Sequence, residues 1–263
     1  MIPIRSLNAI TGLSRQAQDN LRRAGITTVE QLTCLSEDDL RQFKGIKTTA
    51  PAIHAHARAF VEDRPVWHGA FPDECCPTGY MFDLETDPYT GVPWSWGGCD
   101  PSGNPFIIIA AANAAETELA LPDGRTIFVV PHQHAAWHLF AEFVSQSGCL
   151  IFHWTGFDAG ITRAHAPAAV REPLLARMHD LHRTFKGSVK FPVSGNSLKT
   201  VARYLRFDWQ EYDAWDAAYN DYRLWLARGD VHALARACNY QQADVEALAV
   251  VWRWLVMNRP ASL

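Results

Sequence analysis

The stretch Tyr80-Met81-Phe82-Asp83-Leu84-Glu85-Thr86 constrains this chain most, because it reads as a short buried strand that carries two acids. Successive side chains of a strand point to opposite faces, so Asp83 and Glu85 share one face while Phe82 and Leu84 take the other. Two neighbouring carboxylates in an apolar strand repel each other and lose hydration unless a cation lies between them. A divalent metal is the economical explanation. The plain alternative is a strand end whose acids face solvent, and the rest of the chain has to decide between the two.

At 263 residues, 48% hydrophobic and 20% charged, the chain has room for one large domain, or one medium domain and a small one. No apolar run approaches the roughly 20 residues of a membrane span. The first residues lack a signal-peptide core, so a cytoplasmic protein without membrane attachment is expected. Six cysteines occur without a C-x-x-C pair, which speaks against a zinc ribbon or a disulfide framework. The vicinal Cys75 and Cys76 read as reduced thiols. A net charge of −4 excludes a uniformly basic coat but leaves room for local basic patches.

Before residue 65 the apolar spacing is helical and is interrupted by glycine-centred turns at Gly12 and Gly45. Ser14 and Thr48 are the expected N-caps after those turns, and Gly25 is the expected helix stop. The segment reads as about five short helices with two matching hairpins. Pro65, Pro72 and Pro77 then break helix and mark a linker. The predicted organisation is a helical domain over 1–64, a linker over 65–78 and a larger domain over 79–263.

In the larger domain, Gly91 to Gly98, Pro105 to Ala110 and Thr126 to Val130 read as strands of an antiparallel meander, with a hairpin turn at Asp123-Gly124. His132, His134 and His138 open a helix, where surface histidines or a zinc site are the two readings. Cys149 to Trp154 reads as a buried strand running into Asp158, which is either a helix N-cap or an acid pointing over the sheet edge. Asp180 follows later, then a helix from Ser197 with Lys199, Arg203 and Arg206 available to nucleic acid. In the last helix Tyr240 and Asp244 lie four apart on one face, the spacing a phenol needs to orient a water beside a metal-binding acid.

D-x-E, a strand ending at Phe157-Asp158, and Tyr240-x-x-x-Asp244, in that order, resemble the DEDD exonucleases of the ribonuclease H-like superfamily, in the branch with tyrosine in the third motif. A closer resemblance is to the YprB-type exonuclease family. It is carried by Phe82 to Thr86, His153 to Asp158, Asp180-Leu181 with Ser197 to Ala202, and Tyr240 to Leu248. Trp154 stands where the DEDD exonucleases have asparagine, and Gln241 where the YprB-type family has it. The N-terminal segment resembles a tandem helix-hairpin-helix module, whose hairpins hold DNA phosphates. That resemblance points to Gly12, Gly45, Lys44, Lys47 and Thr48 as nucleic-acid contacts; such modules also serve as packing units.

The resemblance implies an α/β fold with a mixed five-stranded sheet flanked by helices. It implies two Mg²⁺ or Mn²⁺ ions held by Asp83, Glu85, Asp158 and Asp244, with Tyr240 orienting the attacking water. The implied activity is 3′-to-5′ exonucleolytic hydrolysis of single-stranded or duplex DNA, or of RNA, in a setting such as DNA repair. A helicase or nuclease is the kind of protein partner it suggests. The alternative is a weakly active or inactive binding module on the same fold.

Overall fold

A computed structural model of the chain describes residues 5–112, 114–209 and 215–260. Its contacts divide the chain into two compact units, Met1–Pro72 with His182–Arg206 and Trp254–Leu263, and Asp73–Leu181 with Phe207–Arg253. The first unit thus takes in two later segments that the sequence boundaries assign to the larger domain.

In the first unit a 3-10 turn at Leu7–Ala9 is followed by α1 (Arg15–Arg23), α2 (Val29–Thr33), α3 (Glu37–Arg41) and α4 (Ala50–Glu62). Short polar residues begin these helices: Ser14 caps α1, while Thr28 with Gln31 and Ser36 with Asp39 form capping boxes. The expected cap at Thr48 falls one residue later, on Thr49, which makes no side-chain cap bond, and Pro51 sits in the first turn of α4, where its missing N–H costs nothing. Gly12, Gly25 and Gly45 turn the chain with φ near +90°, a conformation that other residues adopt only under strain. Leu7, Leu21, Val29, Leu32, Leu40 and Ile46 close the core between the helices. Strand β1 (Val66–Trp67) follows α4.

The second unit is built on β2 (Tyr80–Thr86), β3 (Pro93–Cys99), β4 (Pro105–Ala110), β5 (Thr117–Ala120) and β6 (Thr126–Val130), then α5 (Gln133–Ser145) and β7 (Ile151–His153). It continues through α6 (Phe157–His165), α7 (Ala168–Leu175) and β8 (Met178–Asp180). Helix α8 (Leu181–Ser188) leads back to the first unit, where β9 (Val189–Lys190) pairs antiparallel with β1 and α9 (Leu198–Tyr204) follows. Helices α10 (Trp215–Arg228) and α11 (Val231–Asn258) end the described chain. None of the described helices is long and apolar enough to cross a membrane.

The sheet has seven strands in the order β5-β6-β4-β3-β2-β7-β8, two more than expected. The hairpin at Asp123-Gly124 does form, but it joins β5 to β6. Strand β6 then runs parallel to β4, so the expected simple meander holds only as far as β4. One face of the sheet, with Phe82, Leu84, Trp96 and Ile108, packs on Trp137 and Phe140 of α5. The other face, with Ile107, Ile109, Ile127 and Val129, packs on Tyr222 of α10 and Leu234, Cys238 and Tyr240 of α11.

Candidate active site

Strand β2 lies near the middle of the sheet, with β3 antiparallel on one side and β7 parallel on the other. The register pairs Asp83 with Gly97 and Glu85 with Ser95. Directly paired residues point to the same face, so both acids face the layer of α11. From α11 comes Asp244, and oxygens of Asp83, Glu85 and Asp244 lie within 4.8 Å of one another. Among the described residues this is the one place where metal-ligating side chains gather so closely. All three residues are half-buried.

Burial pushes the Asp83 carboxyl well above the usual carboxylate range, and the Glu85, Asp244 and Asp158 carboxylates push it further. Its Oδ2 is buried without a hydrogen-bond partner among the described residues. An unpaired buried carboxylate oxygen amid like charges costs free energy, and a cation removes both causes. The donors are all hard carboxylate oxygens, which suit Mg²⁺ or Mn²⁺ better than zinc. The residues present therefore fit a divalent ion.

Asp158 stands apart from that trio. It is 4% exposed and lies at the start of α6. The turn that delivers it is tight: Thr155 adopts φ 73°, its carbonyl accepts from His153 Nδ1 at 2.6 Å, and its Oγ1 accepts from the Phe157 N–H at 3.3 Å. The same His153 Nδ1 is 3.6 Å from Asp158 Oδ2. Burial, with Asp244 and Asp180 adding to it, pushes the Asp158 carboxyl up to about 8 against backbone hydrogen bonding at Leu84. Tyr240 shares the α11 face of Asp244, but its ring is 8% exposed and belongs to the apolar cluster with Trp94 and Ile107.

The stretch between Tyr240 and Asp244 is not an open face, as its polar residues suggest. Gln241 is fully buried. Its Oε1 accepts from Ser95 Oγ at 2.5 Å, and its Nε2 donates to the carbonyls of Asp83 at 3.0 Å and Ser95 at 3.3 Å. A second feature that sequence reasoning missed is a cleft of about 320 Å³ lined by Asp87, Val92, Trp94, His132, Tyr219 and Tyr222. Asp87 is two residues beyond Glu85, and Tyr89, 85% exposed, meets Tyr219 edge to face. The signal was present in Asp87-Pro88-Tyr89, where an aromatic at a turn directly follows the acidic strand.

The remaining predicted contacts fall in the first unit. Lys44, Lys47 and Thr48 are exposed around Gly45. The turn at Gly12 is used internally: the Thr11 N–H donates to His56 Nδ1 at 3.1 Å and its Oγ1 accepts from the Gly195 N–H at 2.9 Å. On α9, Arg203 is exposed and Lys199 half-buried. Of the histidines, His132 caps α5, with Nδ1 accepting from the Ala135 N–H at 3.0 Å, and His134 and His138 are exposed. Cys75 and Cys76 are free thiols, and Cys75 Sγ lies 3.2 Å from His179 Nε2.

A family model described as the RNase H superfamily matches residues 81–256, more than half of the chain. No curated protein and no solved structure matches it.

Proposed function

The chain belongs to the RNase H superfamily, and from that premise we propose that it is a divalent-metal-dependent nuclease that hydrolyses DNA or RNA from the 3′ end. The observation that carries this reading is the meeting of Asp83, Glu85 and Asp244 within 4.8 Å around an Asp83 carboxylate oxygen that has no hydrogen-bond partner among the described residues. Two Mg²⁺ or Mn²⁺ ions bound there would activate the attacking water and stabilise the leaving 3′ oxygen. Asp83, Glu85 and Asp244 hold the charge at the centre, and Asp158 completes the set by ionising when positive charge offsets its burial. Tyr240 orients the water, its ring held by the apolar cluster behind it. The exposed ring of Tyr89, which meets Tyr219 of the cleft edge to face, offers a stacking face to an unpaired terminal base.

The order of motifs supports a YprB-type reading within the superfamily, with the N-terminal helices acting as a tandem helix-hairpin-helix module. In that module the exposed hairpin at Gly45, with Lys44, Lys47 and Thr48, holds phosphate, whereas the Gly12 hairpin serves packing because its turn is already bonded to His56 and Gly195. Lys199 and Arg203 add positive charge along the strand. The test is incubation of 5′-labelled single-stranded and duplex DNA and RNA with Mg²⁺ or Mn²⁺, beside a chelator control. Stepwise shortening that needs metal supports the reading. Tight binding that leaves every substrate intact would instead identify a binding module.

A further inference from the structure

We propose that Gln241 is a positioning residue that fixes the separation of Asp83 on β2 and Asp244 on α11, an inference that rests on the metal-binding reading of the site. Neighbouring residues of a helix point about 100° apart, so Gln241 faces the β2–β3 ladder while Tyr240 joins the apolar cluster and Asp244 reaches the other acids. There its amide lies across the β2–β3 ladder, donating to Asp83 and Ser95 carbonyls and accepting from the Ser95 hydroxyl. Both ends of the amide are satisfied, so its rotation is fixed.

The geometry closes a ring. Asp83 meets Asp244 through its side chain and holds Gln241, three residues earlier on the same helix, through its main chain. Apolar packing alone is tolerant of small slides of a helix over a sheet, whereas directional hydrogen bonds to a strand carbonyl are not. Gly97 makes the approach feasible: a Cβ there would stand 2.5 Å from Gln241 Cδ. A sliding α11 would carry Asp244 away from Asp83 and Glu85 and open the group that now spans 4.8 Å.

Gln241→Met keeps the length of the side chain and removes its three hydrogen bonds. The readout is the Mn²⁺ concentration that gives half of the full thermal stabilisation of the intact protein. Partners that orient metal ligands typically contribute 10- to 100-fold in affinity, so the midpoint for Gln241→Met is expected to rise about 10-fold or more. Its nuclease rate should fall at low Mn²⁺ and recover as Mn²⁺ is raised, with KM for the strand unchanged. Val144→Ala, in the core on the other side of the sheet, should lower the melting temperature and leave the Mn²⁺ midpoint alone. If Gln241→Met fails to fold, Ser95→Ala, which removes one of the three bonds, should move the midpoint in the same direction by about 3-fold, the worth of one hydrogen bond. An unchanged midpoint in whichever variant folds overturns the positioning role. A wild-type protein indifferent to Mn²⁺ is a separate result, and it overturns the metal reading on which the role depends.

Discussion

Asp83 carries a carboxyl that burial and its acidic neighbours push upward, so the metal-free protein is strained at the residue on which the site turns. Replacing it by Asn keeps the shape and removes one repelling charge. In chelator, Asp83→Asn should melt at the wild-type temperature or above it, while nuclease activity falls at least roughly 1000-fold. Tyr240→Phe should be milder, roughly 10- to 1000-fold in rate. His56 poses the opposite problem in the first unit. Burial holds its pKa down at about 4, and the neutral ring accepts at Nδ1 from Thr11 and donates from Nε2 to the Val193 carbonyl at 3.0 Å. The unfolded state binds a proton below pH 6.5 and the folded state only near pH 4, so stability falls as pH drops through that window, by up to roughly 3 kcal/mol. Ring ¹⁵N shifts that show titration near pH 6.5 would contradict this. That Asp83 and Glu85 share one face of β2 was legible because the strand period fixes it; that Asp244 of α11 meets them was not, since no period shows which elements pack together. Gln241 was not legible either, since a glutamine inside a helix ordinarily signals a solvated face.

Strand β2 and helix α11 were readable as elements because their apolar periods are long and consistent. Strand β5 was missed because its residues are almost all exposed and show no alternation, and with it the parallel pairing of β4 and β6 was missed. Strand β8 was missed because it has only three residues, all half-buried. What the period cannot show is how closely α11 sits on the sheet. Gly97→Ala tests that contact: the added methyl would stand 2.5 Å from Gln241 Cδ, an overpacking expected to lower stability by about 1–3 kcal/mol in denaturant unfolding. A neutral result would mean that the helix can retreat without cost. Gly91→Ala is not a useful comparison, since its φ of 71° adds backbone strain of its own.

In the whole molecule, segments far along the chain, 182–206 and 254–263, group with the N-terminal helices, which the predicted boundaries at 64 and 79 do not foresee. Such regrouping depends on contacts between distant residues, such as Val66 with Lys190, which no local pattern reveals. Deleting the first 64 residues would therefore strip the 193–195 loop of its partners Ala9, Thr11 and His56, and point substitutions are the better probe. Lys44→Ala with Lys47→Ala should weaken nucleic-acid binding and reduce the slope of log affinity against log salt by about 1–2, with kcat unchanged. Unaltered affinity would make the Gly45 hairpin a packing unit. The central claim is that Asp83, Glu85 and Asp244 exist to hold divalent cations for phosphodiester hydrolysis. It is tested most directly by titrating Mn²⁺ into the wild type and Asp83→Asn while free Mn²⁺ is followed by electron paramagnetic resonance. Stoichiometric binding to the wild type, weakened by at least roughly 10-fold in Asp83→Asn, is the expected result; equal binding by the two proteins, or none by the wild type, would overturn the metal reading.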